Sequence, residues 1–255
     1  MSVLTQTDPK RVQEAEYEFP YHYLTLLSRI SWTFRLYNYY RTEIVALIRS
    51  LHPRHALEIG CGDGRLCYEL THAGVPVTGM DISPRAIAFA RAFVPGASFT
   101  VGDITQEVPR GDFDLAIMME VLEHIEPVQL SRVIAHVHAS LAADGCLVVT
   151  VPSATLPVSA KHFQHFTAET LAATLQPWFR IERLLGMLKQ GLRYRLCMCL
   201  QAGDYALGGL RRNGNRLVRP YYRLLDTLIA QIGYCDPDHA TQLVAVCRKL
   251  RPDRG

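Results

Sequence analysis

Five ionisable residues in two short stretches have the types and spacing to do chemistry together. Glu120, Glu123 and His124 fall at i, i+3 and i+4 in Glu120-Val-Leu-Glu-His124, on one face if a helical turn begins there. Lys161-His-Phe-Gln-His-Phe-Thr167 adds His162 and His165. Two carboxylates with one or two imidazoles can hold a divalent ion and lower the pKa of a hydroxyl bound to it. Without a metal, His124, His162 or His165 is the natural general base, because an unperturbed imidazole titrates near neutrality. A purely structural alternative exists: carboxylates at the start of a helix are favoured by its dipole alone. A second constellation is a cradle. Gly60, Gly62 and Gly64 alternate along Leu57-Glu58-Ile59-Gly60-Cys61-Gly62-Asp63-Gly64, where absent Cβ atoms let a ligand approach the backbone. Dinucleotide loops place the last glycine one position later, as G-x-G-x-x-G.

These side chains require a particular scaffold. Residues 55–59 read as a buried strand running into the glycine loop, and a helical pattern begins at Arg65. Pro76 to Asp81 is a second strand ending in an acid, followed by Ser83-Pro84, a helix start with proline in its first turn. Ser98 to Val101, Phe113 to Met119 and Cys146 to Val151 continue the strand series, with a helix from about Pro127 to Leu141. Trp178 to Leu185 and Gln242 to Cys247 are the last strand candidates. Alternating strands and helices predict βαβ units in a mostly parallel, doubly wound sheet. Ligands then bind outside the carboxyl ends of the strands, where Glu58, Asp81, Asp103 and Glu120 all fall. Asp81 lies 17 residues beyond Gly64, close to the distance at which an acid reaches the hydroxyls of a ribose.

The ordered motifs Leu-Glu-Ile-Gly-Cys-Gly-Asp-Gly, Gly-Met-Asp-Ile, Gly-Asp-Ile, Phe-Asp-Leu-Ala-Ile-Met-Met-Glu-Val-Leu-Glu-His-Ile and Gly-Cys-Leu-Val-Val-Thr-Val-Pro resemble the class I S-adenosylmethionine-dependent methyltransferases over roughly residues 55–185. The resemblance implies an α/β, Rossmann-like sheet of seven strands with the last antiparallel. It also implies a helical N-terminal segment and a helical insertion before the last strand. On this reading residues 1–16 are a flexible tail and 17–255 a single domain. Within it, 17–52 form N-terminal helices or a lid, 53–186 the cofactor-binding core, 187–240 a basic helical insertion and 241–250 the last strand. The resemblance puts Gly60, Gly62 and Gly64 under the methionine part of the cofactor and Glu58 at its amino group. Asp81 takes the ribose, Ile82 flanks the adenine, and Asp103, with Ile104 beside it, receives the adenine amino group. Glu-x-x-Glu-His is shared with ubiquinone-pathway O-methyltransferases and with Hen-type small-RNA 2′-O-methyltransferases. That subset implies catalytic roles for Glu120, His124 and His165, and a site for magnesium or another divalent ion at Glu120, Glu123, His124 and His162. The Hen-type Phe-Glu-Trp before the threonine is missing, which points away from RNA. A silent cofactor-binding subunit is the non-enzymatic alternative, against which the intact Glu120, His124 and His165 argue.

Composition narrows the setting. The 255 residues are 49% hydrophobic and 20% charged, ordinary for a globular chain long enough to bury a full core. No apolar run reaches membrane-spanning length and residues 1–10 lack a signal core. Seven cysteines without a C-x-x-C pair suit reduced thiols, so the expected location is cytoplasmic; Cys197 and Cys199 read as packing residues. Nine of the twenty-three aromatics fall between Tyr17 and Tyr40, in a segment that either packs on the sheet or closes over a ligand. Eight cations (Lys189, Arg193, Arg195, Arg211, Arg212, Arg216, Arg219 and Arg223) stand against Asp204 in residues 189–223. That window carries +7 of a chain whose net charge is +3, a modest total that disfavours nucleic acid. The segment suits a solvated lid, a small-molecule, sugar or lipid-linked glycan acceptor bearing phosphate or carboxylate, or peripheral contact with a membrane. If it holds an anionic acceptor, reversing the charge of Arg211 and Arg212 will raise the acceptor KM and leave cofactor affinity intact. Steady-state kinetics with calorimetry checks this, and an unchanged KM removes the idea.

Overall fold

The computed structural model describes residues 17–20, 22–23, 34–206 and 219–250. In these, α1 (Phe34–Ser50) precedes β1 (Ala56–Ile59), α2 (Arg65–His72), β2 (Val77–Asp81), α3 (Pro84–Phe93), β3 (Ser98–Val101) and β4 (Phe113–Met119). Two short 3₁₀ turns, Leu122–His124 and Pro127–Gln129, lead to α4 (Leu130–Ser140) and β5 (Leu141–Pro152). Then come α5 (Ala168–Leu175), β6 (Phe179–Lys189), α6 (Leu192–Ala206), α7 (Arg219–Ala230), β7 (Tyr234–Cys235) and β8 (Ala240–Lys249).

One sheet joins all eight strands in the order β3-β2-β1-β4-β5-β8-β6-β7. The pairs among β1 to β5 are parallel, whereas β8 runs antiparallel to both β5 and β6. The seven-stranded expectation is therefore corrected by one strand: the two-residue β7 pairs with Gly186 and Met187 of β6 at the sheet edge. Two residues leave no periodicity to read. The rest of the stretch expected to be a helical insertion contains α6 and α7 as described. The expected tail (1–16), the first N-terminal helix and Arg211, Arg212 and Arg216 lie outside the described residues. Cys197 is buried as a packing residue, but Cys199 is exposed.

Strand residues alternate between two apolar layers, as a sheet covered on both faces requires. Leu115, Ile117 and Val148 face the layer containing Ile44, Ile48, Leu70 and Ile229. Ala116, Met118, Leu147 and Val149 face the other, with Val133, Ile134 and Val137 of α4. The helix starts follow local chemistry. Ser83 Oγ accepts the Ala86 N–H at 3.0 Å, with Pro84 opening α3, and Thr167 caps α5 reciprocally with Thr170. No described helix is long and apolar enough to cross a membrane.

Gly64 links this packing to the site, because it starts α2 at φ +79° directly against α3 and β3. A Cβ there would lie 2.9 Å from Ala90 Cβ, 3.1 Å from Ala90 Cα and 3.3 Å from the Phe99 ring. Gly64→Ala therefore combines a left-handed backbone with overpacking, and the expected loss is about 2 kcal/mol in urea unfolding.

Candidate functional site

The carboxyl ends of β1 and β2 hold three buried acids around the glycine loop. Glu58, Asp63 and Asp81 are 4%, 0% and 3% exposed, and a buried charge needs partners. Asp81 Oδ2 accepts the Gly62 N–H at 2.8 Å and its Oδ1 accepts the Ser83 N–H at 2.9 Å, so one side chain joins the loop to the start of α3. Asp63 accepts the His22 N–H at 2.8 Å and faces His22 Nδ1 at 2.9 Å. Glu58 Oε2 accepts the Cys67 thiol at 2.9 Å, and burial pushes its carboxyl up to about 8.

The three glycines are needed by the chain itself. A Cβ on Gly60 would come within 2.6 Å of Val121, and one on Gly62 within 2.5 Å of the Tyr17 hydroxyl and 3.1 Å of the His22 ring. With Gly64 seated against Ala90, all three missing side chains make room for protein atoms. Ile82 follows Asp81 and is half-buried. Asp103 lies two residues beyond β3, where its Oδ1 accepts the Thr105 N–H at 2.9 Å and hydroxyl at 2.7 Å. Ile104 is buried, and its carbonyl lies 2.7 Å from His136 Nδ1. These residues line one edge of the sheet, as their positions after β1, β2 and β3 require.

At the end of β4 the expected single helical face does not form. Glu120 adopts φ +56°, and the helical turn begins only at Leu122 and is 3₁₀. The left-handed residue turns the Glu120 carboxylate to other partners. Its Oε1 accepts the Tyr40 and Thr150 hydroxyls, each at 2.9 Å. The Gln242 amide, with its nitrogen turned inward, donates to Oε2 at 3.3 Å. Glu123, His124 and His162 instead converge, with one ligand atom from each inside 4.8 Å of the others. Glu120 stands outside this cluster, and its charge is among the causes that raise the Glu123 carboxyl, after burial itself.

Backbone pairing builds the second wall. Phe163 N–H donates to the Glu123 carbonyl at 2.8 Å, Ala154 N–H to Phe166 at 2.7 Å, and Phe166 N–H to Pro152 at 3.1 Å. The loop after β5 is thereby folded over the Glu123 turn. Hydrogen bonds then select the imidazole tautomers. His165 Nδ1 lies 3.1 Å from the Leu156 carbonyl and His124 Nδ1 lies 3.2 Å from the Lys161 carbonyl; carbonyls only accept, so both nitrogens carry protons. His162 Nδ1 is 2.8 Å from His165 Nε2, and with both rings neutral it is the donor. His124 and His162 consequently keep bare Nε2 lone pairs, and His124 Nε2 stands 3.9 Å from Glu123 Oε1. Burial lowers the pKa of both rings, that of His162 to about 4. Glu123 Oε2 is buried and makes no hydrogen bond among the described residues. His165 stands behind His162, one ring removed from Glu123.

Sequence reasoning did not single out Asp63 or His22, and it met Tyr17 and Tyr40 only as members of an aromatic-rich stretch. Asp63 carries the one available signal, an acid inside a loop too tight to leave it in solvent. A test of the buried acids follows from sign. Glu58 titrates higher folded than unfolded, so the folded chain binds more protons between about pH 4.5 and 8 and loses stability as pH rises through that window. Glu58→Gln is expected to flatten this fall in urea unfolding of the ligand-free protein, whereas an unaltered slope would assign it to other groups.

The family described as "Methyltransferase domain" matches residues 34–192. Among curated relatives, an uncharacterized methyltransferase of Synechocystis is 34% identical over 91 residues, covering 35% of this chain and 42% of its own. A ubiquinone biosynthesis O-methyltransferase of Xanthomonas euvesicatoria is 28% identical over 182 residues, covering 61% and 74%. The chain spans about two-fifths of the length of the first curated relatives it matches. Among solved structures, the N-methyltransferase NodS of Bradyrhizobium japonicum, in complex with S-adenosyl-L-homocysteine, superposes with a TM-score of 0.56 at 20% identity, over 94% of this chain and 98% of that one. With its glycine loop at the end of β1, acids at the ends of β2 and β3 and a reversed strand between β5 and β6, the chain belongs to the class I S-adenosylmethionine-dependent methyltransferases.

Proposed function

We propose that the protein transfers a methyl group from S-adenosylmethionine to a hydroxyl of a small or glycan-like acceptor, assisted by a divalent ion. The orphaned Glu123 Oε2 facing two imidazoles with bare Nε2 lone pairs carries this reading. A buried carboxylate oxygen without a partner is costly, and a cation would satisfy it. Glu123, His124 and His162 fit such an ion as a mixed oxygen and nitrogen set, and the hydrogen bonds behind His124 and His162 orient them as metal-binding imidazoles are oriented. The ion would supply Lewis acidity that lowers the pKa of an acceptor hydroxyl. Acceptor activation matters more for a hydroxyl than for an amine, and no Asn/Asp-Pro-Pro-Tyr stretch follows β4. The ubiquinone O-methyltransferases among the relatives support oxygen as well.

The cofactor supplies an already activated methyl group, so the chain's own work is alignment and exclusion of water. Asp81 and Asp103 suit the ribose and adenine, with Ile82 and Ile104 beside them, and Glu58 suits the amino group. In this reading Glu120, clamped by Tyr40, Thr150 and Gln242, forms a fixed polar wall between cofactor and acceptor. His165 orients His162 rather than meeting the acceptor. The cations of residues 189–223 suit an acceptor carrying phosphate or carboxylate.

Chelation should abolish turnover, and magnesium or manganese should restore it. Glu123→Gln should lower kcat by about 100-fold while S-adenosylhomocysteine still binds in calorimetry. Full turnover after chelation and in Glu123→Gln, with loss in His165→Ala, would replace the ion with an imidazole general base.

A further inference from the structure

The residues before the sheet form a wall of the cofactor site that the glycine loop is shaped to receive. Tyr17 is 6% exposed, and its hydroxyl fills the space a Gly62 side chain would need. His22 lies against the same glycine from the other direction. The next residue, Asp63, is 0% exposed and grips His22 twice, through the backbone N–H at 2.8 Å and the ring Nδ1 at 2.9 Å. A carboxylate can only accept, so Nδ1 carries the proton. Tyr23 anchors the far end of the segment. Its ring meets Phe93 of α3 at 4.6 Å and Tyr68 of α2 at 6.1 Å, with the Arg65 guanidinium 5.4 Å from its centroid. Residues 17–20, 22 and 23 therefore run as a strap across the mouth between the glycine loop and the two helices that follow β1 and β2.

The strap lies beside the ligand position, not merely near it. Asp81 binds the Gly62 N–H, and Tyr17 covers that same Gly62. After burial, the Asp81 and Asp63 carboxylates are the largest causes that hold the Tyr17 phenol far above its ordinary pKa, so it is an O–H donor throughout the physiological range. A ligand that reaches Asp81 meets Tyr17 on one side and the loop on the other. With the strap in place, exit on that side is closed. The two attachments differ in kind: Tyr23 is held by aromatic packing, and His22 by two hydrogen bonds to a charged group whose ring partner is 27% exposed and open to water.

We propose that residues 17–20, 22 and 23 form a movable wall of the cofactor site and that the His22–Asp63 pair is the latch that holds it closed, so that the latch sets the rate at which cofactor and its demethylated product leave. The inference rests on the glycine loop and Asp81 holding S-adenosylmethionine. It gives Gly62 and Asp63 a second duty, as the seat of the strap.

Release of S-adenosylhomocysteine from the full chain, followed by stopped-flow displacement with excess S-adenosylmethionine, tests this directly. Losing a hydrogen bond to a charged group is expected to speed release about tenfold in His22→Ala. The association rate and the melting temperature of the free protein should stay near wild type, because His22 is partly exposed. Asp63→Asn, which keeps an acceptor for the backbone N–H, should give a smaller acceleration. In the wild type, hydrogen exchange of the His22 amide should slow about tenfold when the product is bound. Release from His22→Ala within twofold of wild type would overturn the latch and leave the cofactor site standing. Failure of the wild type to bind either compound would overturn the cofactor site and the latch with it.

Discussion

Buried carboxyl groups are the constraint around which this molecule is arranged. Glu58, Asp63 and Asp81 gather around one glycine loop and are all nearly sealed from water. Carboxylates in such a setting are stable only if donors reach them, and each draws its donor from a different part of the chain. Asp81 takes backbone N–H groups from the loop and from the start of α3, Glu58 takes the Cys67 thiol of α2, and Asp63 takes His22. Satisfying three buried carboxyl groups thus ties the loop to two helices and to the segment before the sheet. The left-handed glycines let the backbone turn tightly enough for those donors to arrive.

A second pair of buried carboxyl groups, at the end of β4, is resolved differently. Glu120 is surrounded by hydroxyl and amide donors from α1, β5 and β8. Glu123, three residues on, retains an unpaired oxygen against two imidazoles. Two carboxylates of similar sequence context therefore have opposite characters: one is complete within the protein and the other is incomplete. The φ of +56° at Glu120 produces the difference, because it separates the two side chains that an α-helical turn would have stacked. The histidine relay from Leu156 through His165 to His162 then directs a lone pair at the incomplete one.

The two regions meet through the strands between them. β1 and β4 are adjacent and in parallel register from Ala56 opposite Leu115 to Ile59 opposite Met118, so the glycine loop and the Glu120 turn leave the sheet side by side. Gly60 accommodates Val121, a direct contact between the loop that suits the methyl donor and the turn that suits the acceptor. The acids that follow β2 and β3 lie on one flank of this contact and the Glu123 cluster on the other. Alignment of donor and acceptor, the main demand of methyl transfer, follows from strand adjacency.

Residue order alone was enough for the scaffold and the family. The ends of β3 and β4, the Ser83 cap and the acids at the strand ends are all set by local chemistry: alternation, turn residues and a proline in a first helical turn. These are short-range effects, so they are legible in a linear string. The tertiary structure decided which side chains meet. Nothing local distinguishes Glu120 from Glu123, because the donors that complete Glu120 come from residues 40, 150 and 242. Nothing local marks His22 as the partner of Asp63, 41 positions away, or sets His165 behind His162. Even the glycines were only half legible: their spacing pointed to a cradle, but Val121, Tyr17, His22 and Ala90 occupy the space they leave. Long-range pairing of buried polar groups depends on where the folded strands and helices bring distant residues, and that information exists only once the chain has closed on itself.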